Sequence, residues 1–162
     1  MCYNVSMRIL IVAHSHGRRS SLEFLLNNEI YDRVIFLGDY CADFESIPIK
    51  HKFPPIVIKG QYDKYHNKPE FVRTRIGGFS FHIVNGYNLK SPLLDMKEYV
   101  KGRDIDVVVY CGAPYESVVR EGKAIFVNPG YFGVEHHEKR TYAIITIEGD
   151  KMLAETKECY VD

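Results

Sequence analysis

Met7-Arg8-Ile9-Leu10-Ile11-Val12-Ala13-His14-Ser15-His16-Gly17 is the stretch that decides the fold. Its first seven residues are a short apolar run rich in Ile and Val, as expected of a strand buried on both faces. The run stops at two histidines two apart and then a glycine. The same pattern of strand, glycine and polar residue recurs along the chain. Arg33 to Leu37 runs into Gly38-Asp39, and Ile56 to Lys59 into Gly60-Gln61-Tyr62-Asp63. Phe79 to Val84 runs into Asn85-Gly86-Tyr87, and Asp106 to Tyr110 into Cys111-Gly112-Ala113-Pro114-Tyr115. Loops from several strands of an α/β sheet converge beyond the carboxyl ends of those strands. Five separated segments are therefore expected to build one site.

The remaining punctuation fits a layered protein. Ser20-Ser21-Leu22-Glu23 reads as a capping box opening a helix, with Leu22, Leu25, Leu26 and Ile30 on one face. Gly77-Gly78 joins Phe71 to Ile76 and Phe79 to Val84 as a hairpin. Ser91 caps a second helix with Pro92 at its first turn and a stripe of Leu93, Met96 and Val100. Ala124 to Val127 leads into Asn128-Pro129-Gly130, and Thr141 to Ile147 pairs with Met152 to Lys157 around Gly149-Asp150. The fold class is α/β: two stacked β-sheets flanked by helices, in a single domain over residues 1–162.

Composition narrows the function classes. The 162 residues are 46% hydrophobic and 26% charged, with a formal net charge of zero. That balance gives no signal for nucleic acid or for a membrane surface. No apolar run approaches a membrane span, and the first residues lack a signal-peptide pattern, so a cytoplasmic protein is expected. Cys2, Cys41, Cys111 and Cys159 form no Cys-x-x-Cys pair and read as reduced, packed thiols. His82 reads as structural, and His136-His137 as part of a solvated loop.

In order and spacing, these segments resemble the calcineurin-like metallophosphoesterases, in their small single-domain phosphodiesterase branch. That branch carries Asp-x-His, Gly-Asp, Gly-Asn-x-Asp, His-Gly and Gly-His-x-His, followed by Asn-Pro-Gly. The resemblance runs from Met7 to about Ile147 and implies an αββα sandwich. It also implies two divalent ions, about 3.5–4 Å apart, bridged by one carboxylate.

Position by position, only two of the seven ligands match. His16 matches, and so does Asp39, which would be the bridge. His14 stands for Asp, Gln61 for Asn, Asn85 for His, and Ala113 and Tyr115 for the paired histidines. The second metal position thus keeps one strong donor, Asp39, beside the weak Gln61 and Asn85. The first keeps His14, His16 and Asp39, a two-histidine, one-carboxylate set able to hold one Mn, Zn or Fe ion, with Tyr115 as a weak addition. The plain alternative is that these histidines only line a polar cleft. Gly17, Arg18 and Arg19 precede a helix and could hold an anion at its free N–H groups; the plain alternative is a solvated helix end. Tyr62, Tyr87, Tyr115 and Tyr131 could stack a planar ligand or fill the space left by lost ligands.

Two functions follow. One is a catalytically impaired or inactive member used for binding, of which the retromer scaffold subunit is the family precedent. The other is an active phosphodiesterase or phosphatase working with none of the second site and one ion at His14, His16 and Asp39. No partner is identified; a phosphate-containing small molecule or a protein would suit either reading.

Overall fold

The computed structural model describes residues 6–113, 115–133 and 139–160. Pro114 and the pair His136-His137 lie outside them. The first sheet contains β1 (Ser6–Val12), β2 (Arg33–Phe36), β3 (Ile56–Val57), β9 (Arg140–Glu148) and β10 (Lys151–Cys159), in the order β10-β9-β1-β2-β3. The second contains β4 (Phe71–Ile76), β5 (Phe79–Val84), β6 (Val107–Val109), β7 (Ser117–Glu121) and β8 (Ala124–Asn128), in the order β4-β5-β6-β8-β7. The helices are α1 (Arg19–Asn28), α2 (Cys41–Glu45) and α3 (Pro92–Val100).

Alternation along the strands sets the layers. Ile9, Ile11, Ala13, Ile35 and Leu37 face inward and meet Ile83, Val107, Val109 and Val127 of the other sheet. Their neighbours Leu10, Val12, Val34 and Phe36 face outward and are covered by Leu22, Leu25 and Leu26 of α1 and Phe44 of α2. On the second sheet, Val108, Tyr110 and Phe126 face outward under Met96 and Leu93 of α3. The result is the expected helix–sheet–sheet–helix sandwich. Continuous apolar runs mark the central strands because both faces are covered.

Several local expectations shift. α1 begins at Arg19 with Arg18 as N-cap and no side-chain cap, so Ser20 and Ser21 lie inside the helix. Glu23 does not close a capping box; its carboxylate pairs with Arg19 at 2.9 Å. Ile30 lies past the helix end and is exposed. Ser91 is the N-cap of α3 but gives no side-chain cap; instead its N–H donates to Asp95 Oδ2 at 3.1 Å. β7 and α2 have no counterpart in the sequence reading. The Gly77-Gly78 hairpin and the closing hairpin form in the expected register.

β1, β2 and β3 run parallel, as do β5, β6 and β8. Each set therefore ends on a common edge, and those ends carry the motif loops.

Candidate functional site

Contacts between the loops draw the segments together. Asn85 Nδ2 donates to the carbonyl of Leu37 across the two sheets. Gly86 and Gly112 pack backbone to backbone: a Cβ on Gly86 would lie 2.2 Å from the Cys111 carbonyl oxygen. Asn128 Nδ2 donates to the carbonyls of Ala113 and Tyr115, and its Oδ1 accepts the Gly130 N–H. Phe132 and Gly133 donate their N–H groups to the carbonyls of Ala13 and His14. A Cβ on Gly133 would lie 2.0 Å from the Ser15 carbonyl oxygen, so only glycine permits that approach.

At the centre stands Asp39, 1% exposed. Its Oδ2 lies 3.2 Å from His14 Nδ1. Its Oδ1 accepts the Tyr62 N–H at 2.9 Å. A Cβ on Gly60 would fall 1.9 Å from Asp39 Oδ1 and 2.6 Å from Asn85 Nδ2, so both side chains lie directly over Gly60. His14 is 6% exposed, and its Nε2 is buried with no protein partner. The Tyr131 ring packs against it at 4.1 Å, and His16 stacks on it at 5.6 Å. His16 in turn meets Tyr40, which stacks with Tyr62. Three non-glycine residues here have left-handed backbones: His14 at φ 55°, His16 at φ 48° and Tyr40 at φ 69°. Such conformations cost about 1–3 kcal/mol each and persist only where surrounding contacts enforce them.

The other candidates lie apart from this centre or are otherwise engaged. Asn85 is buried, with Nδ2 on Leu37 and Oδ1 accepting the Tyr87 N–H at 3.1 Å. Gln61 is exposed, and Tyr115 is 78% exposed. Among the described residues, no group of three or more His, Cys, Asp or Glu side chains is arranged to hold a metal ion. Asp63 is a loop organiser, accepting the N–H groups of Cys41 and Gly60 at 2.8 and 2.9 Å. Burial pushes up the Cys41 and Cys111 thiols, with nearby carboxylates adding to the shift, so both are inert packing groups.

The anion candidates meet a competitor absent from the sequence reading. Asp43 Oδ2 accepts the Gly17 N–H and the Ser15 hydroxyl, each at 2.9 Å. Arg19 donates to Ser46 and pairs with Glu23. Arg18 is exposed. Sequence reasoning missed Asp43 and Tyr40; their closeness to Asp39 in the chain was the available signal.

The profile of the calcineurin-like phosphoesterase superfamily domain matches residues 7–150. The chain belongs to the calcineurin-like phosphoesterase superfamily. Within it, the small metallophosphoesterase branch is supported by solved structures. A Streptococcus pneumoniae protein described as a predicted phosphoesterase has a TM-score of 0.73 at 18% identity, covering 96% of this chain and 91% of its own. Chaetomium thermophilum Vps29 has a TM-score of 0.72 at 17% identity, covering 94% and 87%. An archaeal phosphodiesterase has a TM-score of 0.68 at 16% identity, covering 93% and 100%. At these identities the likeness is one of fold. No curated protein sequence matches the chain. Members of this superfamily typically bind divalent metals. Among the described residues, no helix is long and apolar enough to cross a membrane.

Proposed function

We propose that this calcineurin-like phosphoesterase is a catalytically impaired or inactive member that keeps the fold for binding and has lost the two-metal site. The observation that carries this reading is the engagement of Asp39 within the protein. The carboxylate that would bridge two ions meets His14 Nδ1 at one oxygen and the Tyr62 N–H at the other. A bridging carboxylate gives a lone pair of each oxygen to metal, and these contacts compete for them. Asn85 spends its amide on Leu37 and Tyr87, Ala113 has no donor atom, and Tyr115 is exposed. This donor set does not fit a pair of divalent ions. The partner is a phosphate-containing small molecule or a protein, and the compartment is the cytoplasm.

One observation favours a second reading. Nε2 of His14 is buried without a protein partner, with His16 stacked on the ring and Asp39 at its Nδ1. In this reading His14, His16 and Asp39 hold a single Mn, Zn or Fe ion and the protein is a phosphodiesterase or phosphatase.

Metal analysis of the purified chain, with manganese titration and an assay on bis(p-nitrophenyl) phosphate, tests both. The first reading expects no turnover and no tight ion. One tight ion, with turnover abolished by Asp39→Ala, establishes the second. Two tight ions with turnover refute both.

A further inference from the structure

A cleft of about 690 Å³ opens on the flank of the sandwich, away from His14 and Asp39. β3 ends one sheet and β4 ends the other, so neither has a neighbour strand on its outer side. The cleft lies against both: Val57 comes from β3, Val72 from β4, and Pro69 from the approach to β4. Phe44 of α2, with Ile47 and Ile49 beyond it, completes the apolar lining. The size falls within the range of small-molecule sites, about 300–1,000 Å³, and so does the mixture of apolar lining with a few polar groups.

The polar groups specify what kind of head would bind. Glu45 is the carboxylate in the lining, and both its oxygens are taken. Oε1 lies 2.8 Å from Lys68 Nζ, and Oε2 lies 2.8 Å from His66 Nε2. The Glu45 carboxylate is therefore engaged within the protein. The Lys68 ammonium has three donors and gives one of them to Glu45. His51 also lines the cleft, stacked on Phe44 at 5.7 Å, and Lys50 beside it is exposed. Of the five lysines in residues 49–68, Lys68 lines the cleft, whereas Lys52 and Lys59 pair with Asp32 and Glu70; the one carboxylate of that stretch is Asp63. Asp63 is buried and held by two backbone N–H groups, so it offers nothing to a ligand. What remains available is the spare donor capacity of Lys68, with the Asn67 amide, beside an apolar floor.

We propose that this flank cleft binds a small amphipathic anion, an aryl or acyl carboxylate. Its apolar body covers Phe44, Val57 and Val72, and its carboxylate takes the spare donors of Lys68. The site is separate from the motif loops and independent of whether they hold metal.

The full chain, labelled with nitrogen-15, is titrated with sodium 2-naphthoate and separately with the uncharged 2-naphthalenemethanol, and amide shifts are followed by NMR. Saturable shifts are expected at Ile47, Val57, Lys68 and Val72, with His14, Gly60 and Asn85 unmoved. The alcohol should bind about fivefold more weakly than the carboxylate, as a partly exposed ion pair allows. Lys68→Gln should weaken naphthoate by a similar factor and leave the alcohol unchanged. Ile49→Trp should fill the cleft and remove both; Lys68→Gln, at the surface, keeps the test valid if that variant does not fold. Absence of saturable shifts at the cleft, shifts centred on the motif loops, or equal binding of alcohol and carboxylate would each overturn the proposal.

Discussion

His14 Nδ1 and Asp39 Oδ2 stand 3.2 Å apart, both side chains buried, at the place where two parallel strands end side by side. The register of β1 on β2 sets this contact: Val12 lies opposite Phe36, so the two strands release their loops together. If Asp39 is a structural partner, removing it leaves the Tyr62 N–H and the His14 ring without their acceptor. Asp39→Ala is then expected to destabilise the metal-free protein by about 2–4 kcal/mol, the cost of leaving buried polar groups unpaired. Urea unfolding in the presence of a chelator measures this. A neutral or stabilising effect would mean that Asp39 is held in readiness for metal, because an unfilled site gains from losing a ligand charge.

Gly60 is under Asp39 for a steric reason. Its φ is not in the left-handed range, so glycine is required by space alone. A methyl group there would overlap Asp39 Oδ1 and press on Asn85 Nδ2. Gly60→Ala is expected to cost about 3 kcal/mol or more, through overpacking and displacement of both polar side chains. Gly78→Ala is the comparison: φ is 87° but nothing lies within 4 Å, so backbone strain alone applies and the cost is about 1–2 kcal/mol. Denaturant midpoints in the reverse order would refute the packing account.

His82 makes stability depend on pH. It is 4% exposed on β5, stacked on Tyr99 at 4.5 Å, with Phe71 at 5.8 Å. Burial first, then the positive charges of Arg73 and Arg103, lower its pKa from 6.5 to about 4. The folded state therefore binds the proton less well than the unfolded chain. The contribution is fully present above about pH 6.5 and is lost as pH falls from 6.5 towards 4, by at most about 3 kcal/mol. His82→Phe should flatten that part of the profile. Urea unfolding at pH 7, 5.5 and 4.5 compares the two proteins, and identical slopes would show that another group carries the dependence.

The fold was legible because its signals are local. An apolar run ending in glycine marks each central strand, and hairpin glycines set the register of β4 on β5. What escaped was short or nonlocal. α2 has five residues, too few to display a helical period, and it starts from Tyr40 in a left-handed conformation that no residue type there announces. β7 pairs only with β8 at a sheet edge, and its Ser117-Val118-Val119-Arg120-Glu121 is half polar. The site's residues could be gathered from motif positions, but their orientations could not. Tyr131 covers His14, whereas Tyr115 faces solvent, and nothing in the spacing separates those two tyrosines.

Asp43 decides the last prediction. A phosphate near Gly17 was expected from the free N–H groups that precede α1. In the folded chain a carboxylate already occupies those donors, since Asp43 accepts both the Gly17 N–H and the Ser15 hydroxyl. A phosphate would have to displace it and then lie beside it, and two anions at hydrogen-bond range repel by several kcal/mol unless solvated (about 4 kcal/mol at 4 Å near a protein surface). Inorganic phosphate at millimolar concentration is therefore expected to leave the Gly17 amide unmoved in the wild-type protein. Asp43→Ala removes the competitor and leaves the Gly17 and Ser15 donors open at the start of a ten-residue helix. Saturable phosphate shifts at Gly17 should then appear, and Arg18→Gln in that background should weaken them. If wild type already binds phosphate at Gly17, the Asp43 contact is not maintained in solution. If neither protein binds it, the helix start is no anion site even when vacated, and any phosphate-containing partner must be recognised elsewhere on the motif edge.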